Sequence, residues 1–180
     1  MKFKAFYTWL WILTLTGLAP GQSVQAKVLQ HTESFLEELA PRCPRRKTTH
    51  YLTPEQKRQI QPVSSAVIVR HEISCGNRVV YFDSHRVRSQ SETLAVVVDS
   101  QGKVEQVKIL AFDEPEEYLP KQKWFDTFQK KELSPRLALQ SDIPMITGAT
   151  LSARAATEAV RKILRIHETL NPSQEQVHAQ

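Results

Sequence analysis

The run Thr93-Leu94-Ala95-Val96-Val97-Val98-Asp99-Ser100-Gln101-Gly102-Lys103-Val104 decides the fold. Leu94 to Val98 is apolar without a break, the pattern of a strand buried on both faces and therefore central in its sheet. Asp99-Ser100-Gln101-Gly102 then forms a hairpin turn, with Gly102 free to take positive φ. Lys103 to Phe112 resumes as a strand in which Val104, Val107 and Ile109 alternate with polar neighbours. Two strands joined this tightly are antiparallel, because a parallel return needs a crossover of a dozen or more residues.

Upstream, Ala66 to Ile73 and Arg78 to Arg88 read as two further strands joined by a turn at Gly76-Asn77. On the second of these, Val79, Tyr81 and Val87 fall on one alternation and Val80 and Phe82 on the other. Before them lies a segment, residues 27–62, that reads as helical. Val28, Leu29, Phe35, Leu36 and Leu39 recur at helical intervals until Pro41 and Pro44. The basic run Arg42, Arg45, Arg46 and Lys47 reads as a solvated linker. A second helix starts at Thr53-Pro54-Glu55-Gln56, where Thr53 caps, Pro54 suits the first turn and Gln56 completes a capping box. It ends before Pro62. Downstream of the hairpin comes the acidic, proline-bounded loop Asp113 to Pro120. Lys121 to Lys130 follows, with Trp124, Phe125 and Phe128 at helical spacing as core. The last helix, Leu151 to Leu170, presents Leu151, Ala155, Ala159, Val160, Ile163, Leu164 and His167 on one face, and residues 171–180 are a polar tail. The expected fold is α+β: an antiparallel sheet packed with helices, in a single domain over residues 63–170.

Met1 to Ala26 has the pattern of a signal peptide. Lys2 and Lys4 precede an apolar stretch from Ala5 to Ala19, and Val24-Gln25-Ala26 offers small residues for cleavage. The apolar stretch is short of the roughly 20 residues that span a bilayer; an uncleaved segment would instead be a membrane anchor. Residues 27–180 would then be periplasmic or otherwise extracytoplasmic. Without Lys2 and Lys4 the chain keeps 22 basic and 19 acidic residues, a net charge of +3. So mild and interspersed a balance argues against a nucleic-acid footprint. Cys43 and Cys75 are the two cysteines. In an oxidising compartment they can pair, although spacing alone does not show that they meet.

One stretch carries chemistry. Thr147-Gly148-Ala149-Thr150-Leu151-Ser152-Ala153 runs from a small, hydroxyl-bearing turn into the last helix. Unpaired amides at a helix start, with no bulky side chains in front of them, suit a phosphate. The same residues would equally serve as a plain helix cap. Following a hairpin sheet and an acidic loop, this motif resembles the FMN-binding domain of the C and G subunits of sodium-pumping NADH:quinone reductase and of Rnf complexes. Small exported single-domain FMN-binding proteins are similar too. The resemblance spans roughly Val79 to Leu170. It implies FMN as cofactor, attached through its phosphate to Thr150 by a separate flavin transferase that uses FAD and magnesium. Thr147, Gly148 and Ala149 would form the approach, and Leu151 and Ser152 would meet the phosphate. Glu114, Tyr118 and Leu119, in the acidic loop, are candidates for lining the pocket. The implied role is an electron carrier with redox partners, including a membrane-bound reductase, rather than a self-contained enzyme.

The motif departs from the family at Pro144, where the transferase motif usually carries Asp; the nearest acid is Asp142. Three outcomes follow: Asp142 takes that place, the protein is a poor transferase substrate, or FMN is held without a covalent bond. Asp83, His85, Arg86 and Arg88 form a polar cluster, but alternation puts Asp83 and Arg88 on opposite faces, and His85 reads as a surface residue. No Gly-x-Ser-x-Gly elbow supports hydrolysis, and the histidines lack metal-ligand spacing. The competing reading is a flavin-free exported binding domain in which Thr147–Ser152 only caps a helix.

Overall fold

The hairpin is present, and Asp99 closes it. Strand β5 (Ser91–Val98) passes to β6 (Val104–Phe112) through a turn in which Asp99 Oδ1 accepts the amides of Gln101 and Lys103 at 2.8 and 2.9 Å. Gly102 sits at φ 78°, in the left-handed region that a side chain disfavours. The computed structural model describes residues 27–60 and 65–171. The expected signal peptide (1–26), the end of the second helix before Pro62 and the tail beyond residue 171 lie outside the described residues.

Around the hairpin the chain builds β1 (Lys27–Val28), α1 (Thr32–Leu39), β2 (Arg45–Tyr51), α2 (Pro54–Ile60), β3 (Val67–Ile73) and β4 (Arg78–Arg86). After β6 follow a short 3-10 turn at Glu116–Tyr118, α3 (Gln122–Phe125), a second 3-10 turn at Asp126–Phe128, and α4 (Thr150–Leu170). The six strands form one sheet in the order β1-β6-β5-β4-β3-β2, and every neighbouring pair is antiparallel. As its apolar run predicts, β5 is interior, and Leu94 to Val98 have no exposed surface.

Alternation along β5 divides the core in two. Leu94, Val96 and Val98 face α4, where they meet Val160, Ile163, Leu164, Trp124, Phe125 and Phe128. Ala95 and Val97 face the other side, covered by Phe35 and Leu36 of α1. The buried face of α4 is graded. Ala153, Ala156 and Ala159 come first, and larger side chains follow from Val160. The small residues let the first half of the helix lie close to the sheet, which brings its N-terminus down to the strand ends. Trp124 and Phe128 are core residues, as expected, and form an edge-on aromatic pair.

The N-terminal segment differs from the sequence reading. Residues 27–62 were expected to be helical with a basic linker, yet Lys27–Val28 and Arg45–Tyr51 are strands. The linker residues Arg45, Arg46 and Lys47 form the start of β2, at the edge of the sheet. A charged sequence suits an edge strand, where one side of the backbone stays open and charges discourage wrong pairing. The pairing also answers the charges: Arg46 and Thr48 both bond the Glu72 carboxylate of β3. A Cys43–Cys75 disulfide, with Cα atoms 6.0 Å apart, pins the start of β2 beside the β3–β4 turn. On α2, the expected capping box is in place, with Thr53 Oγ1 accepting the Gln56 amide and Gln56 Oε1 accepting the Thr53 amide.

The interface between α4 and β4 buries a line of ionisable groups. Tyr81 meets His167 Nδ1 at 3.1 Å, and Lys162 pairs with Asp83. His85 Nδ1 lies 3.0 Å from Asp83 Oδ2, and its Nε2 faces Glu92 at 3.8 Å. Glu92 is fully buried, and neither of its oxygens has a hydrogen-bond partner among the described residues. Burial, with the Asp83 charge adding to it, pushes the Glu92 carboxyl up to about 8. Burial, followed by the Arg70 charge, pushes His167 down to about 4.

The signs set the pH response of the fold. Between about 4 and 6.5 the unfolded chain holds a proton on His167 that the folded chain lacks, so this term raises stability with pH. From the ordinary carboxylate value to about 8 the folded chain holds a proton on Glu92 that the unfolded chain lacks, so that term lowers stability as pH rises. Between pH 6.5 and 8.5 the Glu92 term dominates, opposed by the last part of the His167 and His71 terms, whose pKa values burial lowers. Urea unfolding is expected to show a wild type less stable at pH 8.5 than at pH 6.5 by about 1 to 1.5 kcal/mol, at roughly 1.4 kcal/mol per unit for Glu92 less the opposing histidine terms. Glu92→Gln should remove most of that difference. Equal wild-type stability at both values would show that Glu92 ionises as an ordinary carboxyl.

Candidate functional site

The N-terminus of α4 carries the motif Thr147–Ser152. Ala149 is the capping residue, and no side chain caps the helix. The reading of Thr147–Ser152 as a plain hydroxyl cap therefore lacks its hydrogen bond. The first helical bond runs from the Ala153 amide to the Ala149 carbonyl at 3.0 Å. By position, the amides of Thr150, Leu151 and Ser152 have no partner within the helix. Gly148 takes φ 85°, and a Cβ there would meet nothing within 4 Å. Its backbone conformation calls for glycine, while the space in front of it is open.

These residues form one wall of a cleft of about 230 Å³. Gly148, Ala149, Thr150, Leu151 and Ser152 line it from the helix, and Val87, Arg88, Glu114 and Tyr118 line it from the opposite side. The Thr150 hydroxyl donates to the Ile146 carbonyl at 3.4 Å, a long bond that holds it weakly. Ser152 is buried yet still reaches the cleft. Of the predicted site residues, Gly148 to Ser152, Glu114 and Tyr118 come together here. Leu119 and Thr147 do not. Thr147 lines an adjacent cleft of about 480 Å³ with Pro120, Trp124, Pro144 and Ile146. Leu119 lines that cleft and a third, of about 660 Å³, on the other flank.

Glu114 shapes the cleft indirectly. Its Oε1 accepts the amides of Arg88, Ser89 and Gln90 at 3.2, 2.8 and 3.0 Å. The Ser89 and Gln90 amides are the main reason that its carboxyl is held below the usual carboxylate range. One carboxylate thus ties the β4–β5 turn to the loop after β6. The turn in turn presents Arg88, whose guanidinium lies 5.5 Å above the Tyr118 ring, a favourable cation–π placement. Sequence alternation had set Arg88 aside. The strand ends at Arg86, so alternation no longer applies two residues on, and the turn swings Arg88 to the helix N-terminus. The cleft then combines a guanidinium, three unpaired amides and the positive end of the α4 dipole. Its one acid, Glu114, is already engaged. The arrangement suits a phosphate.

His85 is a correction of another kind. It was expected at the surface, but its side chain is only 15 % exposed, wedged between Asp83 and Glu92 beneath α4 and away from the cleft lining. The loop before the motif is also specific. Asp142 pairs with Lys131 at 3.3 Å and with Arg136 at 3.1 Å, while the Pro144 carbonyl accepts the Trp124 indole N–H at 2.8 Å. Asp142 is thus occupied within its own loop.

Residues 89–165 match the model of the FMN-binding domain family. The match runs from the turn held by Glu114 to the last third of α4, and it includes every lining residue of the 230 Å³ cleft except Val87 and Arg88. Over that segment the chain is similar to an FMN-binding domain, and the match indicates FMN as the cofactor. Comparisons with curated proteins and with solved structures gave no match.

Glu114→Ala should free the turn that carries Arg88. Hydrogen exchange of the Arg88, Ser89 and Gln90 amides is expected to quicken about ten-fold or more, because hydrogen bonds to a charged group contribute roughly 1.5–3 kcal/mol each. The amides of β5 should keep their protection. Unchanged exchange in the turn would mean that Glu114 does not hold it.

Proposed function

We propose that the protein is an exported electron-transfer flavoprotein whose FMN is joined through its phosphate to Thr150. The observation that carries this reading is the convergence, around one small cleft, of the Thr150 hydroxyl, the amides of Thr150 to Ser152 and the Arg88 guanidinium. A hydroxyl, three donors and a cation at one point are what a phosphoester needs. Attachment is made by a flavin transferase with FAD and magnesium. The Thr150 hydroxyl gives up its proton, its oxygen bonds the flavin-side phosphorus, and the pyrophosphate bond to AMP breaks. Bound FMN supplies the chemistry, taking and releasing one or two electrons. The chain supplies attachment and orientation. Two clefts flank the phosphate site, and Leu119, which lines both, would touch the flavin ring in either. Export is supported by the leader pattern of Met1–Ala26 and by the Cys43–Cys75 disulfide, a bond of oxidising compartments. The redox partners would include a membrane-bound reductase.

The test is to co-express the protein with a flavin transferase, denature it, run a gel and view it under ultraviolet light. A fluorescent band is expected for wild type and Thr150→Ser and none for Thr150→Ala. Arg88→Ala should bind free FMN about ten-fold more weakly, roughly 1.4 kcal/mol. A dark wild-type band with yellow flavin released on denaturation would end the covalent part of the proposal. A dark band with no flavin released would end all of it.

A further inference from the structure

The sheet is forked. Strands β3 and β4 pair only from Arg70–Tyr81 to Ile73–Arg78. Beyond Tyr81, β4 runs on through Phe82 to Arg86 paired with β5 alone, and β3 runs on through Val67 to Val69 paired with β2 alone. Among the described residues, no strand takes the main-chain groups of Phe82–Arg86 that point toward β3. A cavity of about 590 Å³ fills the fork. Its lining includes Lys47, Val69 and Phe82 from the α1 face of the sheet and Ile68, Lys162 and Ile163 from the α4 face. Residues from both faces line one cavity only where the strands have parted.

The fork is exposed and of mixed lining, with Val67, Ile68, Val69, Phe82 and Ile163 beside polar residues such as Ser65, His71 and Ser84. Val67 and Val69 are 42 and 39 % exposed, and Tyr51, paired across from Val67, is 78 % exposed. Among the described residues its free charges are mainly positive, with one free acid, Glu33 of α1, acting on His71 of the cavity wall. Lys47 on β2 has no ion pair among the described residues, and neither does exposed Arg86 at the end of β4. The acid in the cavity wall, Asp83, is already paired with Lys162.

We infer that the β3–β4 fork is a binding slot for an extended peptide segment of a partner protein, apolar at its centre and acidic at its ends. Such a segment completes the sheet from within. Its amides and carbonyls meet the open main chain of Phe82–Arg86. Its side chains on one face meet Val69 and Phe82 and on the other Ile68 and Ile163, so the central residues are apolar on both alternations. Acidic residues at the ends meet Lys47 and Arg86. The slot is separate from the FMN cleft, with which it shares no lining residue.

The probe is a fluorescein-labelled octapeptide with four central valine and threonine residues and two glutamates at each end, titrated into the full chain and followed by anisotropy. Saturable binding is expected, with protection from hydrogen exchange appearing at the amides of Phe82–Arg86. Lys47→Glu should weaken binding about ten-fold, or roughly 1.4 kcal/mol, and alternate N-methylation of the peptide should abolish it. The proposal is overturned if the peptide does not bind at millimolar concentration, or if N-methylation makes no difference. It also falls if Phe82–Arg86 are fully protected in the free protein, if dodecanoate occupies the slot while the peptide does not, or if the chain protects the same amides by self-association.

Discussion

The packing of α4 across the central strands is the contact on which the remaining structure depends. Its buried face runs from alanines in the first turns to branched side chains later, so small residues pack against the sheet first and larger ones beyond. Where the helix begins is therefore set by the core. Three unpaired amides arrive beside the β4–β5 turn because Ala153, Ala156 and Ala159 allow the approach. On the other wall, the Glu114 carboxylate gathers three amides of that turn. Each wall is thus fixed by forces that do not involve a ligand, and the cleft between them is preorganised.

The same interface carries a cost. Beneath α4, burial leaves Glu92 without a hydrogen-bond partner and sets His85 and Asp83 beside it. Unpaired buried polar groups are uncommon in native folds and each costs of order 1–3 kcal/mol. The Lys162–Asp83 pair offsets part of the charge but not the orphaned carboxyl.

Local chemistry was the part legible in the sequence. The Asp99–Gly102 turn, the all-apolar β5, the Thr53–Gln56 capping box and the amphipathic last helix each depend on residues within a few positions of one another. Gly148 to Ser152, Glu114 and Tyr118 were named from the motif and from the family that it resembles, and the structure brings them to one cleft. What escaped were features made by distant partners. Arg45, Arg46 and Lys47 read as a linker because their run of charge looks like a solvated segment; pairing with β3 and the disulfide make them the start of a strand. Arg88 reads as a strand residue on the wrong face, because the strand's end at Arg86 has no breaker to mark it. Glu114 was named for the pocket, but its work as a clamp depends on amides 24 to 26 positions away.

The central position of β5 has a consequence for where this fold can be cut. The family match begins at Ser89, one strand later than the structure requires. A fragment trimmed to that boundary would lose β4, the hydrogen-bonding neighbour of β5 along its whole length. It would also lose Arg88 and the wall that this residue builds. Leu94 to Val98, now sealed on both faces, would become a bare, uncharged edge, the kind of edge that recruits other chains. A unit that keeps β5 sealed is therefore larger than the matched segment and includes β4 from Arg78.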